Sequence, residues 1–311
     1  MHEELAPLLR FDVTEQQDGV TLRDVLRRDY GCSRTLLSRI RQDGVIAING
    51  QEAMMWHLLS QGDEVEILLP ERASPGVVPE NIPIEVIYED DDLLILDKQP
   101  GIVVHPTKGY PRGTLANAIA YYWRQQDLNI TVRPIHRLDR ETSGLILFAK
   151  NAYTDQHLSD QATSGRMKKF YWAITEGAIQ PPSGVIDLRI GIAACPDLRE
   201  VSPKGRVAVT KYATLEDWSD YALLEVELLT GRTHQIRAHL SYLGHPLLSD
   251  TRYGASPTPL MERVALHAKR LSFYHPLRKE RLTFEAEPHP DMQQAIDALK
   301  EKSGGKRPGI K

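Results

Sequence analysis

The chain has 311 residues, about twice the usual size of one domain, so one large domain or two unequal ones are expected. Hydrophobic residues make up 41% and charged residues 26%, which excludes disordered, collagen-like and fibrous classes. There are 38 basic and 42 acidic residues, and the net charge of -4 does not by itself indicate a nucleic-acid partner. Cys32 and Cys195 are the only cysteines, which excludes a disulfide framework and a structural zinc knuckle.

Apolar runs in the chain are short. Leu93–Leu96 and Gly144–Ala149 have the length of buried strands, far below the roughly 20 residues that a membrane-spanning helix needs. Met1–Arg10 contains two acidic residues and no apolar core of a secretory signal. We therefore expect a cytoplasmic protein without a membrane partner.

The N-terminal segment is rich in arginine. Thr21–Gln42 contains six arginines and two acidic residues, and its apolar residues recur at three- and four-residue spacing, which predicts two short amphipathic helices. Strand patterns follow at Val45–Ile48 and Glu64–Leu69, with Asn49–Gly50 as a hairpin turn. The pattern predicts a small helix–helix–strand–strand domain over residues 1–69.

A linker and a larger domain follow. Residues 70–83 contain four prolines and no long apolar run, which is typical of a linker. Over residues 84–300 strand patterns, including one at Val185–Ile190, follow one another as often as they alternate with helices, so we predict an α+β domain with a large mixed, mainly antiparallel sheet. Residues 301–311 are rich in lysine and glycine and are predicted to form a flexible tail.

The segment HRLDRETSGLILFAK, His136–Lys150, joins a charged loop to an apolar strand. Asp139 is therefore predicted to lie at the mouth of the sheet, where a rigid scaffold presents reactive groups. Arg137 and Arg140 flank Asp139 and are expected to favour its ionised form. An ordinary cluster of loop salt bridges explains the composition equally well.

A second charged segment, Gly231–Gly254, contains a helix pattern for which Thr233 can serve as the cap. Arg237 is predicted to point from the helix start toward the facing element. His234, His239 and His245 suggest a metal site, but their spacing places them on diverging faces and no acidic ligand accompanies them, so no metal is predicted.

In a third segment, Gly165–Gly177, three basic residues precede a strand. Alternation puts Lys169 and Tyr171 on the same face. Tyr171 is interpreted as an aromatic platform that can stack on a base, or as a half-buried tyrosine of the sheet.

Together these segments resemble the RluA/RluD family of pseudouridine synthases over nearly the whole chain. His136–Lys150 matches the catalytic signature of that family almost residue for residue, and the other two segments follow in the family's order. One departure is Gln99 between Lys98 and Pro100, where the family more often has proline directly after lysine. Residues 33–51 resemble an S4-type RNA-binding domain.

The resemblance implies an enzyme that isomerises uridine to pseudouridine without a cofactor or metal. We expect it to be a monomer. It implies Asp139 as the essential carboxylate, either as nucleophile or as base, Arg237 as its partner and Tyr171 as the residue that stacks on uracil. The residues expected to contact RNA are Arg137, Arg140, Lys169, Arg232 and His234 in the catalytic domain and Arg34, Arg39 and Arg41 in the S4-like domain.

Two other questions concern the substrate and the activity. We expect the substrate to be large-subunit ribosomal RNA, with transfer RNA as the second candidate. A ribosome-assembly factor that has lost catalysis is the alternative, but the retention of Asp139, Tyr171 and Arg237 disfavours it. A glycoside hydrolase is a third alternative, which is disfavoured because such an enzyme would need two acids flanking a sugar. Basic segments at 21–42, 165–169 and 204–211 are predicted to converge around Asp139.

Overall fold

The computed structural model of the protein describes residues 7–71 and 76–303. In these ranges the α-helices are Leu22–Arg28 (α1), Arg34–Asp43 (α2), Leu115–Arg124 (α3), Ala152–Ser164 (α4), Gln235–Tyr242 (α5) and Pro290–Lys302 (α6). The strands are Leu9–Asp12 (β1), Val45–Ile48 (β2), Gln51–Glu52 (β3), Glu64–Leu68 (β4), Glu85–Glu89 (β5), Leu93–Lys98 (β6), Arg133–Pro134 (β7), Ser143–Ala149 (β8), Lys168–Glu176 (β9), Ser183–Asp187 (β10), Ile190–Ile192 (β11), Arg199–Val201 (β12), Val209–Asp217 (β13), Tyr221–Leu228 (β14), Leu266–Tyr274 (β15) and Arg281–Glu285 (β16).

The N-terminal segment forms an antiparallel sheet in the order β1-β4-β2-β3, covered by α1 and α2. Ser33 caps α2 by accepting a hydrogen bond from the amide of Leu36, as its hydroxyl allows. Leu22, Val25 and Ile40 are fully buried against the sheet. The predicted helix–helix–strand–strand order is confirmed, and β1 adds a strand that the sequence pattern did not indicate.

The larger sheet has ten strands, in the order β10-β13-β14-β9-β15-β8-β6-β5, with β16 beside β15 and β7 beside β8. Only the pairing of β15 with β8 is parallel among the pairs described, so the predicted mixed, mainly antiparallel α+β fold is confirmed. The predicted strand Val185–Ile190 was wrong as one element: β10 pairs with β13, whereas β11 begins a separate hairpin with β12.

Gly144 sets the close approach of the two parallel strands. Its φ is +104°, and a β-carbon there would lie 2.5 Å from the carbonyl oxygen of Ala268. Any other residue would push β15 away from β8. Because β8 follows the Asp139 loop directly, this contact also fixes where that loop leaves the sheet.

The N-terminal segment packs against the start of α4. The Gln156 side chain accepts from the amide of Ser33 at 2.8 Å and donates to the carbonyl of Gly31 at 2.7 Å. Tyr153 is buried in the core of the N-terminal segment. The two parts of the chain therefore share a packed contact on α4.

The predicted linker and tail can each be compared with the described residues. Residues 72–75 of the predicted linker lie outside the described ranges, as do residues 304–311 of the predicted tail. Residues 301 and 302 are helical, because α6 continues through Lys302, so the tail prediction began too early. No helix in the described part of the chain is long and apolar enough to cross a membrane.

Candidate active site

A buried arginine links two carboxylates at the mouth of the sheet. The Arg237 guanidinium donates to both carboxylate oxygens of Asp250, at 2.7 and 2.8 Å, and to Asp139 Oδ2 at 3.2 Å. The side chain of Asp250 is 1% exposed, whereas that of Asp139 is 26% exposed. The arginine is thus anchored on Asp250 and presents one remaining donor to the accessible carboxylate. The predicted orientation of Arg237 toward the facing element is confirmed.

Two further cations hold the loop that carries Asp139. Lys98 is fully buried, and its ammonium donates to three carbonyl oxygens, including that of Arg140 at 3.0 Å. On the other side, Arg263 donates to the carbonyl of Glu141 at 2.8 Å and forms a double hydrogen bond with Asp291. Burial lowers the pKa of Lys98 to about 7.

The start of α5 differs from its prediction. His234, not Thr233, occupies the N-cap position, and its φ of 53° puts a non-glycine residue in the left-handed region. The physical reason is a competing set of contacts: His234 Nδ1 lies 3.0 Å from the Tyr253 hydroxyl, and its Nε2 lies 3.8 Å from Asp139. Burial lowers the pKa of His234, which keeps the imidazole neutral near pH 7. Backbone strain of this kind concentrates at functional sites.

The Gln235 side chain makes hydrogen bonds at the start of α5, where the N-cap side chain makes none to the backbone. Its side-chain oxygen accepts from the amide of Arg232 at 2.9 Å and from the Thr230 hydroxyl at 2.8 Å. Its amide nitrogen donates to β13, at the carbonyl of Val209. The side chain therefore fixes the turn between β14 and α5, and with it the position of Arg237.

Tyr171 forms the floor of a shallow pocket beside Asp139. It is 5% exposed, and burial followed by the charge of Asp139 raises the pKa of its phenol, which therefore stays protonated. The pocket volume is about 50 Å³, far below that of an ordinary small-molecule site. Its lining comprises Arg137, Leu138, Asp139, Thr142, Tyr171, Leu228, Arg232, His234, Gln235, Ile236, Arg237 and Leu266. A substrate would have to supply much of the enclosure itself.

The two arginines that flank Asp139 in the sequence form no ion pair with it. Arg140 pairs with Glu141 at 2.7 Å and donates to the Tyr110 hydroxyl at 3.2 Å. Arg137 is exposed at the pocket rim, and within residues 7–71 and 76–303 it makes no ion pair. The cation that reaches Asp139 comes instead from α5, because the loop turns the neighbouring side chains outward.

The basic segments do not all converge. Arg232 Nε donates to the carbonyl of Val207, so residues 204–211 lie beside the pocket, and Lys169 shares a strand face with Tyr171. Thr21–Gln42, with Arg34, Arg39 and Arg41, instead contacts the start of α4, which follows the far end of β8. The seven residues of β8 put about 20 Å between that contact and the Asp139 loop.

Two of the three N-terminal arginines face solvent. Arg34 and Arg41 are exposed, whereas Arg39 is half-buried. Burial raises the pKa of Asp155 on α4, and the charges of Arg133 and Arg39 oppose this rise. Arg39 therefore faces the contact between the two parts of the chain.

The histidines considered for a metal have separate partners. His239 contacts Thr210 and the Leu188 carbonyl, and His245 contacts the Glu176 carbonyl. Asp90, Asp92 and His275 do come together, with ligand atoms within 4.8 Å. That cluster is cross-linked by Tyr88 and Arg278, which already bind Asp90.

Sequence reasoning missed several residues of this site. Asp250 and Tyr253 fall inside the charged segment at 231–254, and a buried acid opposite Arg237 was the available signal. Lys98 belongs to a segment that the sequence singled out, but its function as a loop anchor depends on distant carbonyls. Arg263 lies outside every motif.

Comparisons with known proteins identify the family of the chain. The sequence profile described as RNA pseudouridylate synthase matches residues 92–242. A Bacillus subtilis protein named Uncharacterized RNA pseudouridine synthase YhcT is 37% identical over 90% of this chain and 94% of its own length. Ribosomal large subunit pseudouridine synthase D of Haemophilus ducreyi is 36% identical over 77% of this chain and 78% of its own length.

A solved structure supports the fold separately. Human RNA Pseudouridylate Synthase Domain Containing 4 superposes with a TM-score of 0.60 at 22% identity, covering 70% of this chain and 93% of that protein. The predicted resemblance is therefore confirmed in sequence and in fold. The chain belongs to the RNA pseudouridylate synthase family and is an RNA pseudouridine synthase, an isomerase.

Proposed function

We propose that this enzyme isomerises specific uridines of large-subunit ribosomal RNA, with Asp139 as the catalytic carboxylate. The observation that carries the assignment is the bond from Arg237 to Asp139 at the mouth of a pocket floored by Tyr171. Asp139 is the accessible carboxylate of that arrangement, whereas Asp250 is enclosed. An accessible, oriented carboxylate next to a buried aromatic ring suits chemistry on a nucleoside.

The reaction needs only rearrangement of bonds. The N1–C1′ bond breaks, the uracil turns, C5 bonds to C1′, and the C5 proton is replaced by one on N1. Asp139 acts on the sugar as a nucleophile or takes a ribose proton, and both steps require an oriented carboxylate. Tyr171 stacks on the uracil while it turns. The shallow pocket suits a uridine that has been flipped out of its RNA helix.

The exposed cations around the pocket provide the RNA contacts. Arg137 and Arg232 line the pocket, and His234 lies beside Asp139. Arg140 is exposed on the same loop, next to Asp139 in the sequence. The N-terminal segment, which we propose to be an S4-like RNA-binding domain, places Arg34 and Arg41 on a second exposed surface. The separation of the two surfaces suits a folded RNA that spans both.

Ribosomal RNA is proposed because two relatives at 36% and 34% identity bear the name Ribosomal large subunit pseudouridine synthase D. A transfer RNA substrate is the second candidate. We further propose that the enzyme is a cytoplasmic monomer.

The decisive test uses purified protein and transcripts of both RNA classes. Pseudouridine is mapped by carbodiimide-induced stops of reverse transcription. Wild type is expected to modify the ribosomal transcript, and Asp139→Asn is expected to abolish modification while retaining RNA binding. Activity that persists in Asp139→Asn would refute the carboxylate assignment. A transcriptome-wide map with and without the protein then identifies the modified uridines, and a map unchanged by its loss would favour the non-catalytic factor.

A further inference from the structure

Lys169 on β9 is a buried cation without a partner. It is 8% exposed, and among the described residues its ammonium forms neither a hydrogen bond nor an ion pair. The adjacent Lys168 points to the other side of the strand and pairs with Glu227 at 3.1 Å. Burial lowers the pKa of Lys169, and no carboxylate lies close enough to oppose that effect. The two neighbouring lysines are therefore in opposite situations.

His136, on the loop that carries Asp139, lies close enough to Lys169 to be affected by its charge. Both of its ring nitrogens are buried, and neither has a hydrogen-bond partner in the described part of the chain. Burial, followed by the charge of Lys169, lowers the pKa of His136 to about 3. The imidazole is thus neutral and supplies no counter-charge to Lys169.

The Lys169 ammonium also lies next to a turn that contains a glycine, Gly231. A β-carbon on Gly231 would lie 3.6 Å from Lys169 Nζ, so the ammonium faces the turn between β14 and α5. The next residue, Arg232, lines the pocket beside Asp139. The unpaired groups therefore lie between the two loops that form the candidate active site.

A lysine side chain that is largely removed from water is stabilised by a counter-charge, and Lys169 has none among the described residues. The partner that fits it is an anion with acceptor oxygens, because the group without a partner is a cation. Lys169 and Tyr171 are two residues apart on one strand face, about 7 Å, which is within the reach of a single nucleotide. A phosphate bound there belongs to the nucleotide whose base meets Tyr171, or to its neighbour.

We propose that Lys169 binds a phosphodiester of the RNA backbone next to the target uridine. The subsite holds the flipped nucleotide by its backbone while the uracil is free to turn. This inference rests on the proposed function and adds to it the recognition of one particular phosphate.

The test combines charge removal on the protein with charge removal on the RNA. The probe is a short single-stranded RNA with one uridine, compared with the same RNA whose two phosphates flanking that uridine are neutral methylphosphonates. Lys169→Met should weaken binding of the charged probe about tenfold and reduce the salt slope by about one. It should not weaken binding of the neutral probe further, because both changes remove the same contact. Lys169→Arg should retain most of the affinity, and Lys168→Met serves as the matched control.

A second readout does not need RNA. Without its ligand, Lys169→Met should unfold at a higher temperature than wild type, since it removes an unpaired buried charge. A lower unfolding temperature would show that the ammonium has a structural partner and would overturn the proposal. Equal losses on both probes would overturn it too, as would a loss of turnover with unchanged affinity, which indicates proton transfer. If wild type binds with this Lys169 dependence but modifies no uridine, the proposed function fails while the subsite stands.

Discussion

Asp250 is the buried residue on which the geometry of the site most depends. Asp250→Asn keeps the shape of the side chain and removes its charge. The new amide would point its NH₂ group at one of the two Arg237 donors that now bind the carboxylate at 2.7 and 2.8 Å. Arg237 would then be held mainly by Asp139, 3.2 Å away.

The magnitude follows from burial. Removing one partner of a buried ion pair costs about 3–5 kcal/mol. Because Asp139 remains as a second carboxylate, we expect the lower end, a loss of about 3 kcal/mol in the free energy of unfolding. Losing the charge-assisted hydrogen bond that orients Arg237 is worth about 1.5–3 kcal/mol, so the rate of pseudouridine formation should fall roughly 10- to 100-fold.

Two measurements check these values. Urea unfolding gives the change in free energy, and single-turnover pseudouridine formation, followed by carbodiimide mapping, gives the rate. Asp220→Asn, at an exposed turn, is the matched control and should change neither. If Asp250→Asn unfolds within about 0.5 kcal/mol of wild type and keeps its rate, Arg237 is held by something other than Asp250.

Three further predictions concern the N-terminal domain, acid stability and the catalytic loop. Arg34→Ala with Arg41→Ala should weaken RNA binding and lower the salt slope by about two, whereas Arg10→Ala, at an ion-paired arginine on β1 of the same segment, should not. The pKa of His136 is lowered to about 3 in the folded chain, so between about pH 3 and 6.5 only the unfolded chain binds the additional proton. The free energy of unfolding therefore decreases as the pH is lowered, by up to about 1.4 kcal/mol per pH unit, and His136→Gln should flatten that slope. Arg263→Met should lower the free energy of unfolding by about 2–3 kcal/mol and reduce turnover more than RNA affinity, since it releases the loop after Asp139.

Each of these has a contradicting outcome. An unchanged salt slope would remove the N-terminal arginines from the RNA surface. An acid-unfolding profile that is the same with and without His136 would mean that its ring finds a proton acceptor in the folded state. Equal losses of turnover and RNA affinity in the Arg263 variant would indicate general misfolding of the pocket instead of a loosened loop.

Local pattern was enough to predict most elements. Val45–Ile48 has the predicted bounds, and the apolar run at 144–149 forms the buried strand β8, because helix and strand periods depend on neighbouring residues. The charged motif ahead of β8 also placed Asp139 at the mouth of the sheet. The strand at Val185–Ile190 failed because its end pairs with a different hairpin, which is a long-range choice.

Residue types and motif order in the sequence were sufficient for the family, the fold class and the candidate carboxylate. The family resemblance also implied Arg237 as the partner of that carboxylate, but only the folded chain shows the contact: Arg237 is 98 positions away, whereas the nearby Arg137 and Arg140 are exposed. The same holds for Lys169, whose missing partner becomes visible only when β9, the catalytic loop and the Gly231 turn are packed together. Periodicity depends only on the helix or strand in which a residue lies. Burial and charge pairing depend on segments that come together only on folding, and the contacts of the candidate site are of this kind.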